Sequence, residues 1–150
     1  MTDTTTSHPS AATRDGAASD HTRCATRLRL VLRLNAANSL LAGSLLAAVP
    51  ARVDDLLDTG HPGWIRVVGL ALLPFAALCA WVSTASLRQL RRVTPLIIGG
   101  DVSWVVASLA TVLAGWYSGR GAVAVVAMAA VVDLFALLQW SAWRTLRPTR

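Results

Sequence analysis

Four long apolar blocks, 28–49, 64–82, 93–116 and 122–143, alternate with short polar segments along the chain. Charges inside the blocks are few. The first holds Arg29 and Arg33 together with Asn35 and Asn38, the second has Arg66 near its start, the third has Asp101 alone and the fourth Asp133 alone. A hydrocarbon core about 30 Å thick is crossed by about 20 helical residues rising about 1.5 Å each, so every block is long enough to span. Ten-residue alternating segments of the kind a membrane barrel needs are absent, and inside lipid only helices or closed barrels satisfy the backbone. The pattern therefore predicts an all-α membrane protein, a four-transmembrane-helix bundle.

Domain organisation follows from the polar remainder. Residues 1–22 are rich in Ser, Thr, Ala, Asp and His with almost no large apolar side chain, which predicts a disordered cytoplasmic tail. Residues 23–147 form the transmembrane domain and 148–150 a short basic C-terminal end. A signal-peptide reading of 23–51, with a basic start, an apolar middle and small residues near Ala47 to Ala51, fits less well, because a long polar lead precedes it and Asn residues interrupt it.

Charge fixes the expected orientation. All fourteen basic residues are Arg, all eight acidic ones are Asp, and the formal net charge is +6. Arg23, Arg27 and Arg29 open the first span, Arg88, Arg91 and Arg92 fill the second connection, and Arg144, Arg147 and Arg150 follow the fourth span. The first and third connections hold only Arg52, Arg66 and Arg120. Short cytoplasmic loops keep positive charge, so both termini are expected on the cytoplasmic side of a cell membrane. Trp64, Trp116 and Tyr117 mark the outer interface and Trp81, Trp140 and Trp143 the inner one, as amphipathic rings do at headgroup level. Because the Arg residues flank spans, anionic lipid rather than nucleic acid is the partner they imply.

The remaining chemistry is sparse. Cys24 and Cys79 both fall toward the reducing face, where a disulfide is not expected, and Cys24 beside a basic segment reads as a free thiol in preference to an S-acylation site. His8, His21 and His61 lack metal-ligand spacing. Asp54, Asp55 and Asp58 read as an interfacial turn with a wetted acidic face in preference to a cation site. No phosphate-binding Gly-rich loop, Ser-His-Asp set or Cys-x-x-Cys pair occurs, so neither an enzyme nor a cofactor is expected.

The candidate site is an intramembrane polar layer. Counted from the inner edge of each span, Asn35 and Asn38 lie about 10 and 15 Å deep, Asp101 about 12 Å and Asp133 about 15 Å. Pro74 frees a backbone carbonyl at similar depth, and Gly99 and Gly100 beside Asp101 would admit a neighbouring helix. Arg33 points about 160° from Asn35 and is expected to snorkel to the headgroups. Three roles are open to such a layer: polar glue that sets helix register, proton- or ion-coupled transport, or an anchor for a small amphipathic ligand.

The stretch Asn35-Ala36-Ala37-Asn38-Ser39, the Gly100-Asp101 pair with Trp104, and the ending Phe135-Ala136-Leu137-Leu138-Gln139 resemble a broad group of uncharacterised small bacterial membrane proteins with four helices, loosely similar to the DoxX-like class. The resemblance runs from about Arg27 to Arg147 and implies architecture and membrane location. The DoxX-like comparison would further suggest respiratory or redox partners, which no cofactor-ligating motif supports. Two functions are carried forward. One is a non-enzymatic membrane component that packs on itself or on a membrane protein partner, with Gly43, Ala110, Ala114, Ala127 and Ala130 as close-contact positions. The other is an oligomeric transporter or channel subunit using Asp101 and Asp133.

Overall fold

The computed structural model describes residues 11–146 of the chain. These residues form α1 (Ala11–Ala48), α2 (Pro50–Leu57), α3 (Pro62–Thr84), α4 (Leu87–Leu113) and α5 (Gly119–Thr145), with no strand among them. Four of the helices, all but α2, are long and apolar enough to cross a membrane. The expected helical bundle and its four spans are present.

Helix ends depart from the hydropathy boundaries for identifiable reasons. α1 starts at Ala11, so residues 11–22 continue the helix where a disordered tail was expected; residues 1–10 of that tail lie outside the described residues. Extending an existing helix through Ala-rich sequence avoids the cost of a new nucleus. α4 starts at Leu87, six residues before the apolar block, because Ser86 and Gln89 form a capping box: Gln89 N–H donates to Ser86 Oγ at 3.4 Å and Ser86 N–H to Gln89 Oε1 at 3.2 Å. Arg88, Arg91 and Arg92 consequently ride on the first turns of α4 and not in a loop. Its other end closes on Gly115 at φ 73°, with Gly115 N–H on Val112 O and Trp116 N–H on Thr111 O, a Schellman arrangement that only a left-handed residue permits cheaply.

The acidic run after the first span folds as α2. Pro50 opens it, where a missing N–H costs nothing, and Asp58 in the left-handed conformation ends it. Asp54 Oδ1 accepts from the hydroxyl of Thr59 and from His61 N–H, which fixes the turn into α3. The carboxylate is thus committed to its own turn.

Packing organises the long helices as two antiparallel pairs, α1 with α3 and α4 with α5, joined along α1 and α5. In the first pair Gly43 and Gly69 let the backbones touch; a Cβ on Gly69 would stand 2.6 Å from Ala47 N and 2.9 Å from Gly43 O. α3 and α4 meet over a short stretch, where the Phe75 ring lies over Gly100. α1 and α4 are diagonal. The apolar core, built on Leu28, Leu32, Cys79, Val82, Leu90, Ile97 and Leu146, occupies the arginine-rich end. At that end Arg29 donates from both guanidinium nitrogens to Ser83 O (2.8 Å) and Ala85 O (2.7 Å), closing the C-terminus of α3 with positive charge. At the opposite end α2 ties the pairs together: Ser118 N–H donates to Leu57 O, and Gly121 passes so close to the Leu57 carbonyl that no side chain would fit.

Candidate functional site

Asp101 sits at the centre of the bundle, 2% exposed, on the face of α4 that Ile97, Ile98 and Ser108 also bury. Its Oδ2 accepts two hydrogen bonds, from Asn35 Nδ2 of α1 at 2.8 Å and from Gln139 Nε2 of α5 at 3.0 Å. Ser39, one turn beyond Asn35, donates a longer bond to Asn35 Oδ1 at 3.5 Å. Asn35 and Gln139 are themselves fully buried. The carboxylate therefore bridges both helix pairs and crosses the diagonal between α1 and α4. Polar groups this deep are expensive unless partnered, and amide donors supply that partnership here. One atom of the cluster, Gln139 Oε1, is buried without a partner.

The structure brings together two of the four residues that depth counting placed in a layer. Asn35 and Asp101 are in it, whereas Asn38 is half-buried beside the cluster and Asp133 is exposed on the outside of the bundle. The reason is angular. Gln139 lies six residues from Asp133, about 120° around α5, so the face that presents Gln139 inward turns Asp133 away. Gln139 is the member that residue-by-residue reasoning passed over, since a neutral amide in an apolar run attracts less notice than a carboxylate. Of the small residues expected at helix contacts, Gly43 is used, while Ala110, Ala114, Ala127 and Ala130 are exposed and Ala129, Ala136 and Ala142 are buried instead. Of the two glycines beside Asp101, Gly100 meets the Phe75 ring and Gly99 meets no neighbour within 4 Å.

Asp133 opens onto a groove of about 320 Å³ between α4 and α5, lined by Ile98, Val102, Ala136, Leu137 and Trp140. Trp140 also packs on Trp143 with ring centroids 5.4 Å apart, and Trp143 Nε1–H donates to Arg91 O at 2.9 Å, which anchors the end of the groove nearest the arginines. Arg33 is exposed and takes no part in either arrangement. Cys24 and Cys79 are both free. No cluster of three or more His, Cys or Asp side chains that could hold a metal occurs among the described residues.

No known protein family, curated protein or solved structure matches the chain. The resemblance to small four-helix membrane proteins therefore rests on the residues quoted for it.

Proposed function

We propose that this multi-pass protein is a non-enzymatic component of a cell membrane, with the Asp101 cluster acting as the clamp that holds its helices in register. The observation that carries this reading is the enclosure of Asp101 by amides from two other helices, which spends the carboxylate on packing. Both termini lie on the cytoplasmic side in this reading, and the arginines of that end contact anionic headgroups. The protein serves as a partner subunit, associating within the bilayer with copies of itself or with another membrane protein.

A transport reading would need Asp101 and Asp133 on one path. They open in different directions, one into the sealed centre and one to the outside of α5, so the geometry favours the clamp. Reconstituted vesicles test this. Proton or sodium flux across vesicles holding the wild-type protein should match that of the Asp101→Asn variant; an Asn variant that assembles normally yet abolishes a flux seen with the wild type would replace the clamp with a transport function.

A further inference from the structure

Asp133 faces outward six residues, about 9 Å, beyond the Asn35–Asp101–Gln139 layer, at a depth where only hydrocarbon or another molecule can meet it. We propose that the groove between α4 and α5 binds a hydrophobic organic cation, with Asp133 as counter-charge. This groove is separate from the Asp101 clamp, which lies in the sealed centre of the bundle.

Shape comes first. Asp133, Ala136, Leu137 and Trp140 stand at i, i+3, i+4 and i+7 of α5, which makes one line about 10 Å long, and Ile98 and Val102 of α4 form the facing wall. A volume of about 320 Å³ suits one small molecule, at the low end of the usual range. The site has a single carboxyl at one end, an apolar middle and an indole at the other, the arrangement that orients an amphipathic ligand. A positive group meets Asp133 while an apolar or aromatic body runs toward Trp140.

Charge then selects the occupant. A carboxylate turned toward hydrocarbon is costly without a counter-ion. An inorganic cation is a poor match, since calcium takes about six to eight oxygen ligands and Asp133 is the only lining side chain that offers one. Among the described residues, a second copy brings no cation to this depth either. Gly69 of α3 lies level with Gly43 to Ala47 of α1, which places the exposed Arg66 about 10 Å outward of Asp133; the exposed Arg33 lies about 12 Å inward. Each of these arginines lies nearer one headgroup layer, toward which it snorkels, and copies inserted in the same orientation share the mismatch. With no arginine among the described residues at this depth, a cation that pairs with Asp133 comes from outside the chain and is itself soluble in the bilayer.

Tetraphenylphosphonium, a lipophilic cation, and tetraphenylborate, an anion of nearly the same shape, form the test on purified full-length protein in detergent. Saturable phosphonium binding is expected, with borate binding absent. Asp133→Asn should weaken phosphonium binding about 30-fold or more, as loss of one member of a desolvated charge pair does. Asp101→Asn should leave it unchanged, and Trp140→Ala should weaken it about threefold to tenfold by removing the indole against which the apolar body packs. Equal binding of the two probes to the wild type, or unchanged phosphonium binding by a folded Asp133→Asn protein, overturns the proposal without reference to any variant's stability or to the clamp. So does quantitative cross-linking of an Asp133→Cys protein to a second copy, which would show the groove filled by protein.

Discussion

At the scale of single residues, the position of Asp101 turns on hydrogen bonds that are individually modest. Interhelical hydrogen bonds in membrane bundles are worth about 0.6 kcal/mol on average and about 1.7 at most, so the pair on Asp101 Oδ2 contributes about 1–3 kcal/mol. Asp101→Leu should forfeit that amount and leave two buried donors bare, whereas Asp101→Asn keeps an accepting oxygen and should unfold within about 1 kcal/mol of wild type, as read by denaturant titration in mixed micelles. Gln139→Leu should cost less than Asn35→Leu, because it removes the orphaned Gln139 Oε1 together with the lost donor; equal costs would mean that this oxygen has a partner such as water. Asn35 and Asp101 were legible in the sequence because polar groups inside apolar blocks stand out and their depth can be counted. Asp133 was misplaced and Gln139 passed over for one shared reason: depth along a helix follows from residue number, but the rotation of one helix against another is set by packing partners that no single helix specifies.

Helices show a similar division between what hydropathy reveals and what local chemistry decides. Four spans follow directly from block length, while their ends do not, because a helix runs past the hydrocarbon until a cap stops it. The Ser86-x-x-Gln89 box, which the hydropathy blocks do not register, moves the start of α4 ahead of its apolar block, and the closure of α2 on a left-handed Asp58 is equally invisible to them. The tightest pairing, α1 against α3, rests on two glycines whose nearest neighbours, Gly69 O for Gly43 and Ala47 N for Gly69, are backbone atoms that cannot yield. Gly69→Val should therefore push α1 from α3 and lower the midpoint of thermal unfolding in detergent, with an overpacking cost of about 1–3 kcal/mol. Gly99→Ala meets nothing within 4 Å and should be neutral or stabilising by up to about 1 kcal/mol through helix propensity alone. A drop in midpoint for both substitutions alike would show that backbone approach is not what joins this pair.

For the whole molecule, the arginine-rich end carries the compact core and the guanidinium cap on α3, whereas the opposite end is held by α2 and close backbone contacts. In a Cys24→Ser, Cys79→Ser background, a membrane-impermeant thiol reagent applied to intact cells should label a protein carrying His61→Cys and spare one carrying Gln89→Cys. The reverse pattern would place the arginine-rich end outside and reverse the proposed orientation. The Asn35–Asp101–Gln139 clamp also orders events in time. Its first two members are 66 residues apart and its last two a further 38, so a ribosome delivering about 5–20 residues per second leaves the Asn35 amide waiting for seconds after its helix is made. Asp101 arrives to half an answer, and the second donor comes only with α5. A chain released before α5 keeps a bare polar group at the middle of its first hairpin, and on the proposed clamp reading the closed cluster thereby records that synthesis has passed α5.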